Sequence, residues 1–100
     1  MSRIRLARYA ISEKSREEAE RAIREFVAAI RENEPATEYR AYREAGSNQY
    51  LHVMVFPDQA SEQKHRESPW TEKFVETLYP LCEIEPVFTD VERIEIPDEK

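Results

Sequence analysis

The two histidines of the chain, His52 and His65, are the side chains best suited to move a proton. An imidazole titrates near neutral pH, so it can take up and release a proton during a reaction. His65 is predicted to lie in a helix, at the mouth of a pocket between that helix and a sheet. There it is either a general base or a capping residue bonded to a backbone carbonyl. His52 is predicted to lie in a strand, as a catalytic residue or as a hydrogen-bonded core residue.

Aromatic residues could bind a flat ligand beside these histidines. The candidates for the wall of such a pocket are Trp70, Phe56, Phe74 and Tyr9. An aromatic stripe at helical spacing is also typical of an ordinary core, and both interpretations stay open. Glu34, after Asn33, could place a carboxylate near the sheet edge or be solvated. The sequence contains no pattern of a phosphate loop, a nucleophile triad or a metal site.

A strand followed by a helix must hold both histidines. Residues 49–56 alternate, with Tyr50, His52, Met54 and Phe56 on one face and Leu51, Val53 and Val55 on the other. Pro57 ends the strand, and Asp58 can accept from the free N–H groups that open a helix over 59–67. A strand that is apolar on both faces must be covered on both faces. We therefore expect helices on one face and a second copy of the chain on the other.

The remaining elements complete one domain over residues 1–100. Ser15-x-x-Glu18 fits a capping box, and Ser68 with Pro69 after it fits a second helix start. A polar tail over 97–100 is expected to fray. The predicted strands are 3–11, 37–44, 49–56 and 87–94, and the predicted helices are 16–33, 59–67 and 69–82. The order β-α-β-β-α-β predicts an α+β, ferredoxin-like fold with a four-stranded antiparallel sheet.

Composition excludes several classes of function. The net charge of −6 argues against nucleic acid as a partner and against attraction to an anionic membrane. Cys82 is the single cysteine, so no internal disulfide can form. The sequence has no apolar run long enough for a membrane span and no signal-peptide pattern at its start. A cytoplasmic location is the default expectation.

Three segments of the chain, taken in order, form a recognisable pattern. The first is residues 31–37, RENEPAT, with Tyr39 after it. The second is residues 52–60, H-x-M-x-F-x-D-x-A, followed by H-x-x-S-P over 65–69. The third is residues 74–82, F-V-x-x-L-Y-P-L-C. Together they resemble the antibiotic biosynthesis monooxygenase family, a group of small dimeric α/β-barrel proteins that includes quinol monooxygenases. The likeness runs over nearly the whole chain.

The resemblance implies a homodimer whose sheets pack face to face into a barrel, with one pocket per subunit. It implies oxidation of a small quinol or polyketide-like aromatic by O₂ without a cofactor, either metal or flavin. Related barrels degrade haem. His65 is then the expected base and His52 the second candidate. The expected walls of the pocket are Trp70, Phe56, Met54, Phe74 and Tyr9. Met54 stands where quinol-monooxygenase-like members often carry an acidic residue. That departure motivates an alternative, a dimer that binds a small ligand without catalysis.

Overall fold

The computed structural model describes residues 2–97 as one α+β unit. Residues 98–100 of the predicted polar tail lie outside the described residues. Two short 3₁₀ turns, Glu13–Ser15 and Tyr79–Leu81, precede α1 and β4 respectively. The regular elements are β1 (Arg3–Ile11), α1 (Arg16–Asn33), β2 (Glu38–Arg43), β3 (Gln49–Phe56), α2 (Gln59–Glu67), α3 (Pro69–Leu78) and β4 (Cys82–Val91).

The four strands form one antiparallel sheet in the order β2-β3-β1-β4. The predicted ferredoxin-like fold class is therefore confirmed. β3 is an inner strand, paired on both sides, with His52 opposite Ala7 of β1 and Ala41 of β2. This register fixes which side chains share a face with His52.

The helices pack on the face of the sheet that carries His52. The buried side of α1 contributes four residues, Ala19, Ile23, Phe26 and Ile30. The sheet contributes alternate residues of three strands, among them Tyr9, Tyr39, His52, Met54 and Phe56, all less than 9 % exposed. The core thus lies in a single layer between sheet and helices, and the candidate residues of β3 are part of it.

The boundaries around β4 differ from the prediction. α3 ends at Leu78 instead of residue 82, because Pro80 cannot continue the helical hydrogen bonds and lies in the 3₁₀ turn. β4 begins at Cys82 instead of residue 87 and contains Pro86, which an edge strand tolerates. It ends at Val91 instead of residue 94, because Val91 already pairs with Ile4 near the start of β1.

The helix starts agree with the sequence in two of three cases. The carboxylate of Asp58 accepts from the Ser61 backbone N–H at 2.8 Å, and the Ser68 hydroxyl accepts from that of Thr71 at 3.2 Å. The capping box predicted at Ser15 was wrong, since its side chain makes no cap hydrogen bond. The 3₁₀ turn in front of α1 places Ser15 at φ −102° and ψ 4°, away from the extended geometry of a cap.

Within residues 2–97, no helix covers the other face of the sheet. Leu51, Val53 and Val55 lie there and are only partly buried. On β4, Ile84 and Val87 are 58 % and 60 % exposed. Within residues 2–97, no helix has the length and apolar character required to cross a membrane.

Candidate functional site

A small cavity of about 60 Å³ lies between the sheet and the three helices. Both histidines contribute to its wall. So do Tyr9 and Tyr39 from the sheet and Phe74 from α3. Phe88 of β4 forms part of the rim and is 45 % exposed. The wall is therefore mostly apolar and aromatic, with polar groups from the two histidines, the tyrosines and Thr71.

The first polar group of the site is a buried pair, Glu34 and His65. Nδ1 of His65 lies 2.9 Å from Oε2 of Glu34, and both side chains are less than a tenth exposed. The same carboxylate oxygen accepts from the indole Nε1 of Trp70 at 2.6 Å. A carboxylate on Nδ1 keeps the proton on that nitrogen and leaves Nε2 as the lone-pair side of the ring. The arrangement thus orients His65 to accept a proton.

Local backbone geometry explains why Glu34 turns inward. Pro35 follows it and disfavours further helix, so α1 ends at Asn33. The Glu34 N–H still bonds to the Ile30 carbonyl at 2.7 Å, and its own carbonyl accepts from the Thr37 N–H at 2.9 Å. The Thr37 hydroxyl donates to Oε1 of Glu34 at 3.1 Å. This tight turn holds the carboxylate beneath α2 and α3.

The second polar group is His52 between two tyrosines. Its Nε2 lies 2.7 Å from the Tyr9 hydroxyl, and its Nδ1 lies 2.6 Å from the Tyr39 hydroxyl. Burial lowers the pKa of His52 to about 4, so the ring is neutral at pH 7. Burial also raises the pKa of both tyrosines well above the ordinary value. His52 is therefore a poor base in this setting, because both nitrogens are engaged and the cation is disfavoured.

The Tyr39 ring packs against both imidazoles. Its centroid is 5.4 Å from that of His52 and 5.9 Å from that of His65. Phe26 packs edge-on against Tyr39 at 5.3 Å and stacks on Phe74 at 4.1 Å. The two histidines thus occupy different ends of one aromatic cluster and make no direct contact through hydrogen bonds.

The structure places the predicted site residues in two groups. His52, His65, Met54, Phe74 and Tyr9 all line the cavity. Phe56 and Trp70 do not. Phe56 is 1 % exposed and packs its ring against His65 at 5.2 Å. Trp70 lies at the outer side of α3 and reaches the site only through its hydrogen bond to Glu34.

Two residues of the site were missed or undervalued at the level of sequence. Tyr39 was not among the predicted site residues, and the structure places it on the inner face of β2, opposite Met54. Glu34 was considered solvated or near the sheet edge, but it is 6 % exposed and joins three elements. Its place in the RENEPAT segment was the available signal. Over residues 2–97, no cluster of three or more His, Cys, Asp or Glu residues could hold a metal ion.

Comparisons with known proteins identify the fold. No family profile and no curated protein matches the sequence. Among solved structures, a candidate antibiotic biosynthesis monooxygenase from Caulobacter crescentus CB15 matches with a TM-score of 0.87 and 16 % identity, over 94 % of this chain and 91 % of that chain. The chain has the fold of antibiotic biosynthesis monooxygenases.

Two further structures support this. Rv0793 from Mycobacterium tuberculosis matches with a TM-score of 0.86 and 14 % identity, over 98 % of this chain and all 100 % of that chain. A candidate antibiotic biosynthesis monooxygenase from Bacteroides thetaiotaomicron VPI-5482 matches with a TM-score of 0.86 and 22 % identity, over 99 % and 94 % of the two chains. The resemblance that three sequence segments suggested is confirmed for the antibiotic biosynthesis monooxygenase fold.

Proposed function

We propose that this chain is a monooxygenase of the antibiotic biosynthesis monooxygenase family and oxidises a small quinol or polyketide-like aromatic with O₂. The observation that carries the proposal is the buried Glu34–His65 pair, of which His65 lies on the wall of the cavity. The fold alone does not define an activity, which instead follows from the chemistry of the site.

His65 is the proposed general base. Its Nδ1 donates to Glu34, and within residues 2–97 no hydrogen bond engages its Nε2. Nε2 can therefore take a proton from a phenolic O–H or from an acidic C–H beside a carbonyl. The Glu34 carboxylate stabilises the imidazolium that forms, as a buried carboxylate does in other carboxylate–histidine pairs.

The ligand anion supplies the electrons for the reaction. Deprotonation makes the aromatic ring electron-rich enough to pass an electron to O₂, after which the two combine. For an anthrone-type substrate, one CH₂ group and one O₂ give one C=O group and one water. The protein binds the substrate, removes the proton and keeps bulk water away from the reacting carbon. This scheme keeps the cofactor-free reaction that the resemblance implies.

Met54, Phe74 and Tyr9 are the proposed substrate-binding walls, because they line the cavity together with the histidines. Trp70 and Phe56 act indirectly, Trp70 through Glu34 and Phe56 by packing on His65. A volume of about 60 Å³ is well below that of a pocket for a drug-sized ligand. Substrate binding therefore requires the rim to open, and the exposed Phe88 is the side chain best placed to move.

The proposed assembly is a homodimer that uses the uncovered face of the sheet. Leu51, Val53 and Val55 form the centre of that face, and Val87 of β4 extends it. A second copy would bury these side chains, each worth roughly 1.5–3 kcal/mol when fully removed from water. The cytoplasmic location also stays a prediction.

A second candidate function is binding of a small ligand without catalysis. Two observations favour it. Met54 lines the cavity where a carboxylate is common in quinol-monooxygenase-like members, and the cavity is small for an aromatic substrate. In this case the protein retains a tightly bound apolar compound and forms no product from it under O₂.

Oxygen uptake by the purified, metal-stripped protein distinguishes the two candidates. A panel of quinols and anthrones is the substrate set, and the variants are His65→Ala and, as a matched control, Lys64→Ala on the exposed side of the same helix. The proposal expects turnover by the wild type and by the control, with a loss of about 10²- to 10⁴-fold in His65→Ala. Absence of turnover with every compound, or equal rates in His65→Ala, contradicts it.

A further inference from the structure

One polar hydrogen atom in the group around His52 has no acceptor within residues 2–97. The Tyr9 hydroxyl contacts Nε2 and the Tyr39 hydroxyl contacts Nδ1, at 2.7 and 2.6 Å. A neutral imidazole carries one N–H and one acceptor nitrogen. One tyrosine therefore donates its O–H to the ring, and the other accepts the ring N–H.

The imidazole and the two phenols hold one polar hydrogen more than their two mutual contacts use. At pH 7 the ring is neutral and both phenols are protonated, since burial lowers the pKa of His52 to about 4 and raises those of Tyr9 and Tyr39. The three groups hold three polar hydrogens, and the two contacts use two. The third lies on the tyrosine that accepts from the ring. Within residues 2–97, neither hydroxyl has another hydrogen-bond partner.

A buried O–H without an acceptor is destabilising, so the free hydrogen favours an acceptor from outside the chain. Both tyrosines lie on the cavity wall. We infer that the tyrosine pair held by His52 donates one phenolic O–H to an oxygen atom of the ligand. The ligand class is then an aromatic compound with a carbonyl or phenolate oxygen attached to the ring system. From the proposed function this inference takes the aromatic ligand and, for the orientation of the ligand, His65 as the base. It does not require turnover.

The position of the donor also orients the ligand. The Tyr39 ring contacts both imidazoles, with its centroid 5.4 Å from that of His52 and 5.9 Å from that of His65. The acceptor oxygen of the ligand lies at the His52 end, and the proton that the base removes lies at the His65 end. A compound with these two groups on opposite sides of one ring meets both requirements. Quinols and anthrones have this arrangement, whereas a phenol without a second group satisfies only one end.

Two rigid probes of the same shape test the hydrogen bond. They are 1-indanone, which has a carbonyl acceptor, and indane, which has CH₂ in its place. Dissociation constants are measured by NMR titration for the wild type, Tyr9→Phe and Tyr39→Phe. One of the two variants lacks the tyrosine whose O–H is free. The donor that remains there is the N–H of the His52 ring, 2.6 or 2.7 Å behind the position of the lost hydroxyl oxygen. The preference for indanone relative to indane should fall about three- to tenfold there.

Tyr50→Phe is the matched control. Tyr50 stacks on Tyr9 at 5.3 Å, but its hydroxyl donates to Glu20 and does not contact His52. The ratio of the two dissociation constants should not change in this variant. An equal fall in the control would mean that aromatic packing sets the preference, which overturns the inference.

Nitrogen-15 NMR of the wild type shows in advance which tyrosine is the donor. A proton on Nε2 assigns the free O–H to Tyr9, and a proton on Nδ1 assigns it to Tyr39. Indanone should then shift the hydroxyl proton signal of that tyrosine, a result that does not depend on whether a variant folds. An imidazolium at pH 7, an unchanged ratio in both Phe variants, or no binding of either probe overturns the inference. Intact indanone preference without oxygen uptake contradicts only the proposed function.

Discussion

The carboxylate of Glu34 lies 2.9 Å from Nδ1 of His65, although 31 positions separate the two residues in the chain. The same carboxylate accepts from Trp70 at 2.6 Å and from Thr37 at 3.1 Å. The end of α1, the last turn of α2 and the first turn of α3 therefore meet at one buried anion. Because three donors satisfy it, the anion is tolerated in the core and can hold His65 in one orientation.

Replacement of this carboxylate is the sharpest test of its role. Glu34→Gln keeps the shape but removes the charge that stabilises a protonated His65. We expect oxygen uptake to fall by about 10- to 100-fold, in the range that removal of a supporting group costs. We also expect a loss of about 1–3 kcal/mol in the free energy of unfolding, because one of the donors around the new amide is left without an acceptor.

Urea unfolding and the pH dependence of the rate separate the two effects. Trp70→Phe removes one donor to Glu34 and leaves the His65 contact in place, so it serves as the comparison. If Glu34→Gln lowers stability but leaves the rate and its pH profile unchanged, then Glu34 has a structural role only.

His52 should make the folded state sensitive to acid. The unfolded chain takes up a proton on this histidine below its ordinary pKa of 6.5, whereas burial lowers the pKa in the folded protein to about 4. Between these values the unfolded state binds more protons, so the free energy of unfolding decreases as the pH falls from 6.5 to 4. The loss attributable to His52 is about 3 kcal/mol over this window.

Urea titrations at several pH values check this contribution. His52→Gln offers a donor and an acceptor to the two tyrosines but does not titrate. The difference in unfolding free energy between wild type and His52→Gln should therefore decrease toward pH 4. A difference that stays constant between pH 6.5 and 4 would rule out a neutral, buried His52.

The uncovered face of the sheet predicts the assembly. Val53 lies at the centre of β3 on that face, between Leu6 and Arg40 of the neighbouring strands. Val53→Asp places a charge in the proposed dimer interface and should abolish the dimer, with unfolding of the subunit. Ala45→Asp in the exposed turn between β2 and β3 is the control and should leave the dimer intact. Sedimentation of the wild type at micromolar concentration is the measurement, and a folded monomer there refutes the assembly.

Ser68 joins the two short helices. Its hydroxyl accepts from the Thr71 N–H at 3.2 Å as the cap of α3 and donates to the His65 carbonyl at 2.8 Å. Ser68→Ala removes both contacts and should lower the free energy of unfolding by about 1 kcal/mol or somewhat more. Thermal or urea unfolding measures this, with Ser61→Ala, an exchange within α2, as the comparison. Equal effects of the two changes would contradict a special role for Ser68.

The sequence by itself determined the order of elements and most of their limits. Alternation over residues 49–56 and the helical stripe of α1 are local patterns. They indicate which face of each element is buried, whatever element packs against that face. The limits of β4 were not local, because its pairing depends on where β1 begins and on an edge position that accepts Pro86. Strand pairing between distant segments decided them.

For the site, the sequence supplied the residue types and tertiary structure supplied the partners. His65, His52, Tyr9, Met54 and Phe74 were identified from type and spacing and do line one cavity. Two pairings follow only from the packing of α1 and β2 against the other elements. They are the hydrogen bond between Glu34 and His65 and the one between Tyr39 and His52. A hydrogen bond depends on a few ångströms between residues that are far apart in the chain, and only the packed fold fixes such distances.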